Sequence, residues 1–503
     1  MFKKWKYAAA LLVVVMAVSC DDNDETTINE DPGTFKELDD IELTEGEAAA
    51  EISAYDPATK QLFVVNNASG SVVDVIDVST PTALIYVKSI DVAQYGGGVN
   101  SVAVKNGLLA AAIEADTKTD NGKIVVFDTK TLTEKAVVNV GALPDMVTFS
   151  PDGKYILSAN EGEPSDDYTA DPVGSVSIIT VSTFAATTLD FAGFAGQADA
   201  LQAKGLRVFG KNASFAQDME PEYVAISADS KLAWATLQEN NAIAYINLES
   251  KTVTGIFPLG FKNHSMAENV LDASDKDNSV TFTSYPIFGM YLPDAIASFN
   301  QNGTNYVITV NEGDVREYSA LKENVRIKDV ILDATAFPDG AALKADAKLG
   351  RLYVTNTMGD TDGDGDYDKL YNFGGRSFTI WNGSTGELVH DSGSKLEKDV
   401  IEKNAALYDD ARSDDKGVEP EGVTIGKMGN RTLAFVGLER ADAVVIYDIT
   451  NMSSPTLVQV LQTGDAPEGV LFIPANESPN GKSLLVVSSE GDGKVKVFQP
   501  DTL

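Results

Sequence analysis

Five aspartates crowd into nine residues at Asp360, Asp362, Asp364, Asp366 and Asp368, with Gly363 and Gly365 between them. Carboxylates at loop positions 1, 3 and 5 with glycine at position 6 match the first half of an EF-hand loop. There the glycine permits a sharp turn and hard oxygens gather around Ca²⁺. Position 12 is Tyr371 in place of a bidentate glutamate, so another oxygen must complete the shell. Asp360, Asp362, Asp364 and Asp366 are the expected side-chain ligands, with Asp368 acting through a water. The plainer alternative is a solvated acidic turn, although five like charges this close repel strongly without a cation. Two thinner candidates are Asp272, Asp275 and Asp277, and the run Asp409, Asp410, Asp414 and Asp415. In the second run Arg412 and Lys416 are interleaved and offer internal neutralisation instead.

A second acidic pattern is spread along the chain. A proline followed by an acid opens five segments, at Pro144-Asp145, Pro221-Glu222, Pro293-Asp294, Pro420-Glu421 and Pro467-Glu468. Each continues as an apolar strand, a turn, a second apolar strand and an acidic loop carrying Glu161, Glu239, Glu312, Glu439 or Glu490. Looser copies lie at residues 52–67, 99–114 and 341–356. A strand unit returning every 40–50 residues or so is the mark of a β-propeller, in which each blade buries its faces against its neighbours. The expected fold is therefore all-β, with four-stranded blades. Seven blades are expected, or eight if residues 294–392 hold two. In a propeller the connection into the innermost strand and the loop between the second and third strands share a face. The ten acids would then ring one mouth of the channel, with Arg316 and Arg440 close enough in sequence to pair with the second set. Such a ring is either a by-product of the repeat or a ligand or metal site, the channel mouth being a usual place for one.

Third strands are read at residues 71–77, 122–128 and 443–448, where β-branched and aromatic residues alternate and end in aspartate. The last unit stops after residues 495–498 with no fourth strand. Residues 35–43 are expected to supply it, closing the ring without an open edge. Residues 184–218 read as an insertion with a short helix, within a single propeller domain over residues 34–503.

The amino terminus has a different character. Lys3, Lys4 and Lys6 precede an apolar stretch over residues 8–18, too short to span a bilayer. It ends in Ser19-Cys20, and Cys20 is the only cysteine. This resembles a lipoprotein lipobox, which implies a signal peptide over residues 1–19 and acylation of Cys20; an ordinary signal peptide is the alternative. Residues 20–33 read as an acidic tether, whose start resembles the surface-export signals of Bacteroides-group lipoproteins. The expected location is the outer membrane, facing outward or, alternatively, the periplasm. A lone cysteine excludes disulfides within the chain and thiolate metal sites. The net charge of −36 argues against nucleic acid, and against adhesion to anionic lipid by charge alone. Only two histidines, His264 and His390, and no Gly-x-Ser-x-Gly leave few members for a serine triad or a histidine zinc site.

Several phrases together resemble the choice-of-anchor I family. They are Leu143-Pro144-Asp145-Met146, Ala159-Asn160-Glu161-Gly162-Glu163-Pro164, Pro258-Leu259-Gly260-Phe261-Lys262, Met290-Tyr291-Leu292-Pro293-Asp294, Asn311-Glu312-Gly313-Asp314, Phe373-Gly374-Gly375-Arg376 and Pro420-Glu421-Gly422-Val423. The resemblance runs from about residue 43 to 498 and implies a secreted or surface-anchored bacterial β-propeller. Similar proteins carry labels such as alkaline phosphatase-like or mesenchyme-specific cell surface glycoprotein. No catalytic motif behind the phosphatase label can be placed on these residues. Two functions are thus in view. One is a Ca²⁺-stabilised, non-catalytic monomer that binds a glycan, protein or phosphorylated small molecule and touches membrane only through its lipid. The other is a Ca²⁺-dependent phosphoesterase, with cations on the acidic rim and Lys262, Arg316, Arg376 or Arg440 receiving phosphate.

Overall fold

The computed structural model describes residues 29–43, 49–68 and 70–503; the lipobox, Cys20 and most of the acidic tether lie outside them. Among the described residues seven sheets have four strands each. Six of them are built from consecutive strands of the chain or, in the fifth, from strands interrupted by a long excursion. The second strands read as unbroken apolar runs, such as Gln61–Asn66, because both faces of each blade are covered. Outer strands such as Ile85–Asp91 are largely exposed.

The core lies between the blades. One apolar layer joins the first and second sheets through Phe63, Val65, Leu109 and Phe127. Equivalent layers join each later pair, and Leu62, Val64, Val486 and Val497 join the seventh sheet back to the first. The molecule is a β-propeller. Lys36–Glu42 pairs antiparallel with Lys494–Gln499, as the outer strand of the seventh sheet. Beside it Phe35 is buried edge-on against Phe435, with centroids 5.7 Å apart.

Two readings of the repeat change. Residues 294–392 form one blade, from Ile296–Gln301, Thr304–Asn311, Ser377–Asn382 and Leu388–Asp391. The looser copy at residues 341–356 is no blade opening: Gly340–Leu343 is helical, and Tyr353–Thr355 belongs to a separate five-stranded sheet. It imitates a blade because the excursion buries its own apolar core around Leu271, Ile327, Leu352 and Leu370. Ala185–Leu189 is the outer strand of the third sheet, so the insertion starts after it. Its Phe191, Leu201, Phe215 and Met219 extend the layer between the third and fourth sheets.

Candidate functional site

The proline-acid steps place the acids through a recurrent backbone irregularity. Pro144, Pro221, Pro420 and Pro467 each pair with the end of the second strand of their blade, and the register shifts immediately afterwards. The same shift surrounds Glu51 in the first sheet and Asn100 in the second. A bulge leaves an extra residue unpaired and re-aims its side chain. Here that residue is the acid, or Asn100 in its place. The residues before Pro144, Pro293, Pro420 and Pro467, which are Leu143, Leu292, Glu419 and Ala466, have φ of 47–53°. That left-handed conformation is strained for residues with a side chain, and such strain clusters at functional sites.

The bulges bring Glu51, Asp145, Glu222, Glu421 and Glu468 into an inner ring, which Asp294 joins from the segment just ahead of its strand, its N–H donating to Val310 O at 3.1 Å. Asp145, Asp294, Glu421, Glu468 and Asn100 line a throat of about 60 Å³. Burial, then Glu163 and Glu114, pushes Asp145 up to about 7. Burial likewise raises Glu51 to about 7, with Asn67 opposing and Glu490 and Asp145 adding. Glu222 and Asp294 are pushed well above the carboxylate range by burial first, then by Asp294 and Glu312 respectively. Glu468 is raised by burial, then Glu490 and Glu51, and Glu421 by burial, then Glu312 and Glu439. Glu222 Oε2 and Glu468 Oε2 are buried without a hydrogen-bond partner. Among the described residues no lysine or arginine lies within ion-pair reach of any of the six. Glu51 was legible only as part of a loose copy, because no proline marks it.

The second set stands around this ring, as the topology requires. Burial pushes Glu161 well up, helped by Asp145 and Glu163, and takes Glu239 to about 7 against the opposing field of Arg316. Glu439 also rises to about 7 by burial and receives Arg440 at 2.8 Å. Glu490 adds its charge to Glu468 and Glu51. Glu312 accepts from Gln238 Nε2 at 2.9 Å and is ion-paired with Lys416, which also reaches Glu419 at 3.4 Å. Arg316 departs from expectation. The chain turns after Glu312 into the hairpin of Glu317–Tyr318 and Leu321–Lys322, and this carries Arg316 away to Asp218 and Glu220. Its fully buried guanidinium also stacks 4.5 Å from the Phe209 ring.

Below the throat the channel widens into a chamber of about 360 Å³. Ile52, Ser101, Met146, Tyr223, Val423 and Val470 line both spaces, so the two are continuous.

The Asp360 loop forms two trios of carboxylates whose oxygens lie within 4.8 Å of one another: Asp360, Asp362 and Asp368, and Asp333, Asp366 and Asp368. Asp368 is shared by both, a more central place than a water-mediated contact. Asp364 belongs to neither, and Asp333 was not expected. Asp360 caps the turn by accepting from Gly363 N at 2.7 Å and Gly365 N at 3.0 Å. Both glycines are left-handed, with φ of 82° and 96°. The donor set is all hard oxygen and fits Ca²⁺.

The thinner candidates are largely neutralised from within. Asp275 and Asp414 share Arg351, at 2.6 and 2.9 Å, and Arg412 pairs with Asp415 at 3.0 Å. Asp272, raised to about 7 by burial and then Asp410, hydrogen-bonds that second carboxyl. Two residues considered for phosphate are structural instead. Lys262 is buried against Asp391 at 3.0 Å, and Arg376 donates to the carbonyls of Asp272, Ser413 and Asp415. His264 is held neutral, lowered to about 3 by burial and then Lys262, with Nδ1 2.6 Å from Asn269 O. His390 is half-buried near Phe378.

Fold and site together define a propeller whose channel is ringed by carboxylates at one end. The choice-of-anchor I domain matches residues 51–452, and the chain belongs to that family. It is 34% identical over 189 residues to gigasin-3a of Magallana gigas, covering 31% of this chain and 66% of that protein. It is 25% identical over 304 residues to the mesenchyme-specific cell surface glycoprotein of Strongylocentrotus purpuratus, covering 52% of this chain and 39% of that one. The chain thus spans less than two thirds of either relative. Among solved structures, Kuenenia stuttgartiensis hydrazine synthase superposes with a TM-score of 0.49 at 14% identity, covering 92% of this chain and 98% of that one. A β-propeller domain from Myceliophteria thermophila gives 0.47 at 8% identity, covering 93% and 100%. Scores this low say nothing of what this chain binds.

Proposed function

We propose that this protein is a lipid-anchored surface propeller that binds an extracellular ligand, without catalysis, at its acidic channel mouth. One observation carries the reading: Asp145, Asp294, Glu421 and Glu468 line one throat, with Glu51 and Glu222 beside them, and among the described residues no lysine or arginine pairs with any of the six. Acids that serve only the fold are normally paired or solvated, so keeping six together is costly without an incoming partner. The family and the sea-urchin relative's name support a surface or extracellular location. Anchoring rests on Cys20, and stabilisation by Ca²⁺ on the two aspartate trios. The test is to replace Asp145 and Glu468 by Asn and Gln and compare binding of candidate ligands with the parent. Unchanged binding of every ligand the parent takes would remove the mouth from the function. Cys20→Ala is expected to abolish incorporation of labelled fatty acid; continued labelling would refute the anchor.

A second reading, a Ca²⁺-dependent phosphoesterase, is favoured by Lys416 and Arg440 on the same rim, where they could receive phosphate. Hydrolysis of p-nitrophenyl phosphate that requires both Ca²⁺ and Asp145 would establish it in place of the first.

A further inference from the structure

The throat and the chamber beneath it differ in chemistry, and a ligand that suits the site must satisfy both. The throat offers the carboxylate oxygens of Asp145, Asp294, Glu421 and Glu468, and Glu468 Oε2 is buried with no hydrogen-bond partner. The chamber is mixed: Val102, Val104 and Leu471 give it an aliphatic strip, and Ser53, Thr148, Thr424 and Glu477 line it as well. A metal ion would use the oxygens and leave the aliphatic strip unoccupied. An anion would meet six acids at the entrance. A neutral sugar would supply hydroxyl donors but no charge to offset the ring. An elongated organic cation uses every part. Its ammonium donates three hydrogen bonds to carboxylate oxygens, and its methylenes lie against Val102, Val104 and Leu471.

We propose that the channel is a receptor for a primary alkylammonium group, held at its head by the inner ring of Glu51, Asp145, Glu222, Asp294, Glu421 and Glu468, with its stem in the chamber. This rests on the reading of the mouth as a ligand site and names the class of ligand. A free diamine or polyamine and a lysine side chain present the same chemistry. The ring is expected to give up protons as the cation arrives, because burial and mutual repulsion hold several of its acids above the ordinary range.

Isothermal titration calorimetry at pH 7 on the folded chain tests this, using linear monoamines from ethylamine to pentylamine, 1,5-diaminopentane, a capped lysine peptide and tetramethylammonium. Saturable one-site binding of 1,5-diaminopentane is expected, with a heat that depends on the buffer's ionisation enthalpy because protons are released. Affinity should rise about fourfold per added methylene across the monoamines. Tetramethylammonium, with no N–H, should bind at least about tenfold more weakly than an amine of similar size. The double variant Asp145→Asn, Glu468→Gln should lose at least about tenfold; Glu222→Gln, checked for folding by circular dichroism, should lose several-fold. Stronger binding of the capped peptide would identify a protein lysine as the source, and stronger binding of the diamine a free amine. Failure of every amine to bind, equal binding by the variants, or affinity independent of stem length would each overturn the proposal. If Ca²⁺ binds the mouth in a manner lost with Asp145 and Glu468 while amines do not, the ammonium assignment falls and the ligand site stands. If no ligand depends on those two acids, both fall.

Discussion

Two groups of carboxylates sit a short distance apart in this propeller and are treated oppositely. Asp218, Glu220 and Glu323 lie in dry protein, and each faces a guanidinium: Arg316 reaches Asp218 and Glu220, and Arg207 reaches Glu323. Both guanidiniums also stack on the Phe209 ring, Arg207 at 4.1 Å and Arg316 at 4.5 Å from its centroid. This network ties the insertion after the third blade to the excursion from the fifth. The acids of the inner ring stay partly exposed, and among the described residues no lysine or arginine pairs with them. Compensated charge in dry protein serves to fix the relative position of two loops. Uncompensated charge at a cavity is a standing cost to the fold, and it makes sense where something from outside relieves it.

Breaking the compensated set should have the larger effect. Arg316→Met strands Asp218 and Glu220, and is expected to cost about 3–5 kcal/mol of stability by denaturant titration. A loss below about 1 kcal/mol would mean that the network does not hold the loops together. The matching change in the ring points the other way. Asp145→Asn with Glu468→Gln should leave stability at pH 8 unchanged or raise it, since each amide removes a repelling charge at nearly constant shape. A marked destabilisation would show these acids to be structural and erase the contrast.

The pH profile sharpens the same point. Glu51, Asp145, Glu239 and Glu439 are raised to about 7, so between the ordinary carboxylate range and pH 7 the folded state holds more protons than the unfolded one. Stability from these groups is therefore fully present at acid pH, falls as pH rises through that window, and levels off above about 8. The melting temperature should be higher at pH 5 than at pH 8, by a smaller margin in the Asp145→Asn, Glu468→Gln variant. Equal margins in variant and parent would mean that the slope arises elsewhere. The smallest effect is expected at the exposed Asp360 loop, where Ca²⁺ is proposed to bind. Chelation should lower the melting temperature by about 1–3 °C. Asp362→Ala with Asp368→Ala should remove that response, and a variant that still responds would place the Ca²⁺ elsewhere.

Much of the fold was legible because its signals are local. Apolar runs ending in Asp or Asn mark the strands, proline-acid steps mark the blade openings, and the missing fourth strand of the last unit pointed to residues 35–43. Glu51 was harder to see, since its bulge forms without proline. Residues 341–356 misled because an apolar run looks the same whether it packs in a blade or in the excursion's own core. In the aspartate loop the alternating spacing was visible, but Asp333 joins from a separate loop and Asp364 belongs to neither trio, accepting instead from Asp366 N at 3.1 Å.

The sequence by itself determined the repeat, the all-β propeller and the acids at five blade openings, because strand pattern and turn chemistry act over a few residues. Only the tertiary structure decided which of those acids are neutralised. Arg316 stands four positions from Glu312 yet serves Asp218 and Glu220, while Lys416, remote in sequence, reaches Glu312. Coulomb energy depends on distance through space and on the surrounding dielectric, and both are set by how the ring, the insertion and the excursion pack.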